Sequence, residues 1–106
     1  MNVFEVARVR LRPTDRSGYL RESDLTLDTF AGLTWAEDTP GHARRVVIDL
    51  GSVTGFGPGV TDRVARNLVD VHVGVVEVEG STKPMVRTAF CRGLTEALVE
   101  AGEVLS

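Results

Sequence analysis

The chain of 106 residues has a single cysteine, Cys91. An internal disulfide framework is therefore excluded, and so is a zinc site built on cysteine ligands. Lysine is equally scarce, with Lys83 standing alone against eleven arginines. That bias points to a GC-rich genome, because arginine codons are GC-rich and lysine codons are not. It describes coding rather than function. No apolar run approaches the roughly 18 residues that a membrane span needs. Met1–Arg10 carries Glu5 and alternating arginines where a secretory leader would have a continuous apolar core, so a cytoplasmic location is expected. Neither sign of charge dominates, and the net charge of −3 argues against bulk electrostatic attraction to nucleic acid.

What is present is ordinary for a globular chain. Hydrophobic residues make up 42% and charged residues 25%, enough apolar surface to offset the entropy of ordering. The length suits one α/β domain over residues 1–106. Valine is the commonest residue, which favours strands buried on both faces.

Val3–Arg12 reads as a strand, with Val9 and Leu11 on one face and Arg8, Arg10 and Arg12 on the other. Pro13 ends it, and Asp15-Arg16-Ser17-Gly18 is a turn cluster. Tyr19–Arg21 is expected as a short returning strand, making a hairpin. Leu27, Phe30, Ala31 and Trp35 recur near helical spacing over Leu27–Glu37, although Gly32 and several threonines compete, and a strand over Thr29–Trp35 is the rival. Arg45–Leu50 has the apolar run of a central parallel strand. Gly51–Gly59 then carries four glycines and a proline, which predicts irregular backbone. Thr61 is positioned to cap a following helix whose apolar face is Val64, Leu68 and Val71. His72–Glu79 is a valine-rich strand expected to be buried on both faces. Ser81 or Thr82 can cap a last helix, with Pro84 in its first turn and Gly102 as its stop. Val86, Phe90, Leu94, Ala97 and Ala101 trace the inner face of that helix.

The expected order is β-β-α-β-α-β-α, a small, mainly parallel sheet with helices packed on it. Functional surfaces of such sheets lie at the carboxyl ends of the strands. That brings Gly51–Gly59 and Gly80–Lys83 to one edge.

The glycine-rich segment follows a strand and opens a helix, the context in which loops cradle phosphate, yet neither Gly-x-Gly-x-x-Gly nor Gly-x-x-x-x-Gly-Lys-Ser/Thr is present. A tight crossover or a protein-contact loop is the competing reading. Asp49, Ser52 and His72 supply the residue types of a hydrolase triad, but Gly-x-Ser-x-Gly is absent and triads are defined by geometry. His42 lies alone in a loop, and no acid or cysteine set at ligand spacing suggests a metal. Cys91 flanks an apolar helix face and reads as a small hydrophobe. Arg8, Arg10 and Arg12 can bind phosphate or an acidic partner, or form a solvated strand face.

Two family resemblances follow from these residues. Val46-Val-Ile-Asp-Leu-Gly-Ser-Val-Thr-Gly55 resembles motif I of S-adenosylmethionine-dependent methyltransferases at Asp49, Gly51 and Gly55, and Glu77 is similar to that family's ribose-holding acid. Val53 replaces the middle glycine, where a branched side chain would crowd the cofactor. The chain also stops after two matching strands, short of a complete pocket of that kind. Taken whole, the sequence resembles a STAS domain, the fold of bacterial anti-anti-sigma factors. The likeness lies in Val46–Leu50 near mid-chain, then Val53-Thr54, Phe56 and Gly59-Val60, then Gly80–Arg87 and Arg92-Gly93-Leu94. The family's phosphorylatable serine is missing, since Gly57-Pro58-Gly59 stands in its turn.

The STAS resemblance implies a non-enzymatic regulatory module without a cofactor. Its protein partner would meet Gly57, Pro58, Gly59, Thr61, Asp62, Arg63 and Arg66. Self-association as a homodimer is a second form of partnership, and no membrane partner is expected. The methyltransferase likeness implies instead a small-ligand site on Asp49, Gly51, Gly55 and Glu77. A structural or viral assembly subunit is a third reading.

Overall fold

Alternating side chains make the first strand. A computed structural model describes residues 4–33, 43–70, 75–80 and 82–105. In it, β1 (Phe4–Arg10) buries Ala7 and Val9 and exposes Val6, Arg8 and Arg10. Leu11 extends the pattern, buried and donating its N–H to the Asp49 carbonyl at 3.0 Å. β3 (Ala43–Asp49) runs parallel to β1, with Val9 opposite Ile48, and β5 (Val75–Glu79) runs parallel to β3 on its other side, with Val78 opposite Ile48. The order β1-β3-β5 makes β3 the central strand. Val46, Val47 and Ile48 are accordingly all buried, as expected of an apolar run with neighbours on both sides.

β5 departs from expectation. It is an edge strand that alternates, with Val76 and Val78 packed on the core while Val75, Glu77 and Glu79 are exposed. A valine-rich strand is buried on both faces only if something covers the second one, and both helices pack on the first. The expected residues His72–Gly74 lie outside those described.

The expected hairpin does not form. The turn closes with the Gly18 N–H donating to the Asp15 carbonyl, but β2 (Tyr19–Leu20) pairs in parallel with β4 (Gly55–Phe56) rather than with β1. The nominally irregular glycine segment thus contains a short strand. Burial of Leu20 in the core drives this pairing, since its side chain is fully inaccessible.

Of the helix expected over Leu27–Glu37, the described part is instead a 3-10 turn over Asp28–Leu33, where the competing strand is also absent; residues 34–37 lie outside those described. Successive i to i+3 bonds, from Thr29 N–H to Thr26 and from Phe30 N–H to Leu27, tighten it. Thr29 also accepts the Thr26 N–H on its hydroxyl at 3.0 Å, the local competition that threonines bring to helices. Phe30 and Leu33 enter the core, while Leu27 stays 90% exposed. Trp35 lies outside the described residues.

Two α-helices complete the layer. α1 (Val60–Asp70) buries Val60, Val64, Ala65 and Leu68. Its N-cap is Gly59, whose carbonyl accepts the Arg63 N–H, so Thr61 sits inside the first turn instead of capping it. α2 (Pro84–Leu105) buries Phe90, Leu94 and Ala97 against the same core, with Val86 and Leu98 beside them. Lys83 caps it through its carbonyl; Thr82 turns its hydroxyl to the Val53 carbonyl, and Ser81 is not among the described residues. Gly102 does not stop the helix, since a glycine costs only about 1 kcal/mol against alanine within one. The Phe56 and Phe90 rings meet edge to face, 5.4 Å apart, and join β4 to α2. No helix among the described residues is long and apolar enough to cross a membrane.

Candidate functional site

The carboxyl ends of β3 and β5 converge. Leu50 donates its N–H to the Glu79 carbonyl, Thr82 bonds to Val53, and Gly80 lies against Gly51. A Cβ at Gly80 would fall 2.8 Å from the Gly51 nitrogen, and its φ of +143° suits glycine alone. The structure thus brings Gly51 and Val53 together with Gly80 and Thr82 at this edge, while Gly55–Phe56 pairs with β2 and Ser81 lies outside the described residues.

The reason for so many glycines is visible at β4. Tyr19 lies over it: a Cβ at Gly55 would be 3.4 Å from the tyrosine ring, and one at Gly57 would be 3.1 Å from its hydroxyl. Gly57 is buried, with its N–H bonded to the Leu20 carbonyl at 2.8 Å. Gly59 adopts a φ of +87°, and a Cβ there would come within 2.5 Å of a Glu22 carboxylate oxygen. The loop is tied to β2 by the strand pair, with the Tyr19 ring and the Glu22 carboxylate packed close against its glycines.

Of the residues expected at a partner surface, Pro58, Asp62, Arg63 and Arg66 are exposed. Gly57 is buried backbone, and Thr61 faces α2, where a Cβ on Gly93 would meet its side chain at 3.2 Å. Asp62 and Arg66 stand one helical turn apart, as do Arg63 and Arg66. Arg63 also reaches Glu22 at 4.0 Å. Two residues of this surface carried no sequence signal: Glu22 and Tyr19 arrive through the β2–β4 pairing, which no local pattern announces. The exposed charges Asp62, Arg63 and Arg66 thus follow directly on the exposed Pro58, with Glu22 beside Arg63 and the partly exposed Tyr19 against Gly57. Such a patch can make charge-assisted hydrogen bonds and a small apolar contact.

The alternative ligand set is distributed differently. Asp49 accepts the Gly51 N–H at 2.8 Å and stands 3.6 Å from Arg8, which also pairs with Glu79. Glu77 is paired with Arg45 at 3.6 Å on the outward face of the sheet. Gly55 belongs to the β2–β4 pair under Tyr19. These four residues are held by three separate sets of contacts. Ser52 is exposed, Cys91 is half-buried, and His42 and His72 lie outside the described residues. No group of three His, Cys, Asp or Glu among the described residues could hold a metal ion. The arrangement is that of a small α/β fold with a preformed loop at the carboxyl edge of a parallel sheet. No protein-family model, curated protein or solved structure matches this chain.

Proposed function

We propose that this chain is a non-enzymatic interaction module with a STAS-like α/β fold, which binds a regulatory protein through Pro58, Asp62, Arg63 and Arg66. The observation that carries this reading is the preformed Gly57–Gly59 loop, with exposed charges on the helical turn it opens. A loop already bonded to β2 needs little ordering on binding, so more of the contact energy appears as affinity. The succession of strand, short strand, central β3, glycine turn and helix supports the STAS likeness, while the helix that the likeness places before β3 is only a 3-10 turn over Asp28–Leu33. The missing serine removes phosphorylation of that turn as the trigger.

The test is Arg63→Glu in the intact chain, after capture of a partner from host extract and titration of the purified pair. The substitution abolishes partner binding and leaves the melting temperature unchanged, because Arg63 is exposed. Unaltered affinity removes this surface from consideration. The methyl-donor reading is separated by calorimetry with S-adenosylmethionine, where absence of heat at millimolar ligand ends it. Size exclusion with light scattering decides between a monomer, a homodimer and a larger assembly.

A further inference from the structure

A second surface is built around the arginine row. Arg8, Arg10 and Arg12 form one side of a groove of about 420 Å3. Burial of Val9 and Leu11 between them turns all three arginines to the same side. The other side is the segment Asp24–Thr29, which contributes Asp24, Thr26, Asp28 and Thr29.

The charges of this groove are unevenly committed. Arg8 is paired with Glu79 and Asp49. Asp24 accepts from the Thr14 hydroxyl at 2.7 Å and from the Arg21 N–H at 2.9 Å. Arg10 and Arg12 have no carboxylate partner among the described residues, and Asp28 has no cationic one there. At about 3.3 Å of rise per residue, Arg10 and Arg12 stand roughly 7 Å apart along the strand, close enough for both guanidinium forks to converge on one dianionic group. The facing carboxylates would repel a polyanion such as a nucleic-acid backbone. They would accept hydrogen bonds from hydroxyl groups attached to a single anionic head.

We propose that this groove binds a small phosphorylated polyol, its phosphate held by Arg10 and Arg12 and its hydroxyls by the Asp24–Thr29 side. Arg8, neutralised by its own partners, forms the end of the groove.

Isothermal calorimetry on the full chain tests this with ribose 5-phosphate, inorganic phosphate and ribose as probes. Ribose 5-phosphate binds about tenfold or more tightly than inorganic phosphate, and ribose alone gives no heat. The double variant Arg10→Met, Arg12→Met weakens both phosphates by about tenfold or more, with the circular dichroism of the fold unchanged. Asp28→Asn narrows the advantage of ribose 5-phosphate over inorganic phosphate, because it removes a hydroxyl acceptor and relieves repulsion of the phosphate alike. The proposal is overturned if neither phosphate binds at millimolar concentration, if the double arginine variant binds like the parent, or if both phosphates bind equally.

Discussion

On the inward face of the sheet Val9, Val46 and Ile48 are fully buried, whereas on the outward face Val6 and Val75 remain 59% and 46% exposed. The outward face also carries Arg8, Arg45, Asp49, Glu77 and Glu79, joined across the strands as ion pairs. One residue type, valine, therefore does two different jobs within the same strands. Parallel sheets are usually covered on both faces. Among the described residues both helices lie on one, and the other carries the cross-strand charges. Apolar area removed from water on the inner side stabilises the fold at about 25 cal/mol per Å2. Exposed ion pairs on the outer side contribute roughly 0–1 kcal/mol each.

The sharpest way to break the comparison is a matched pair of truncations. Phe90 is fully buried against Phe56, so Phe90→Ala lowers unfolding free energy by about 3–5 kcal/mol through lost burial and a cavity. Val75→Thr on the outward face stays within about 0.5 kcal/mol of the parent. Urea unfolding of both variants measures the contrast, and comparable losses would mean that the outward face is covered in solution.

A smaller effect is expected where the two faces end, at the carboxyl edge. Gly80→Ala forces a side chain to within 2.8 Å of the Gly51 backbone at a φ that alanine rarely adopts. Such backbone strain costs about 1–3 kcal/mol. Thermal unfolding reads it, and Gly51→Ala is the control, since a Cβ at 51 meets nothing within 4 Å although its φ of +54° is also positive. A loss at 80 no larger than at 51 would show that backbone conformation alone, and not the close approach, makes residue 80 a glycine.

Much of this was legible in the residues themselves. A period of two marked β1, and a continuous apolar run marked β3 as central, because those patterns record which faces meet the core. The valines of β5 misled, since β-branched residues fit a pleated surface whether or not its second face is covered. Tyr19–Arg21 reads as the second arm of a hairpin because the turn before it places β1 nearest in sequence. Its true partner, Gly55–Phe56, is too short and too glycine-rich in its surroundings to announce a strand, and is chosen by Leu20 burial and by room for the tyrosine ring. At the candidate site, the exposed Asp62, Arg63 and Arg66 followed from helical spacing. Glu22 and Tyr19 did not, because only the tertiary pairing brings them to that loop.

The smallest effect belongs to the outward side, at Asp24 on the wall of the arginine groove. Its carboxyl is held below the ordinary aspartate range by the Arg21 N–H and then by the Thr14 hydroxyl, both of which favour the ionised form. A carboxyl whose folded value lies below its unfolded value of about 3.9 stabilises the fold above that pH, and the contribution is lost as pH falls through the folded value. Asp24→Asn removes the charge while keeping an oxygen to accept the N–H. Parent and variant should therefore differ in stability near pH 7 and converge as the solution is acidified below about pH 4. Chemical unfolding at a series of pH values follows the two curves. A gap that persists unchanged in acid would show that Asp24 acts through its shape alone, and would leave the outward wall indifferent to pH in the way the buried core is.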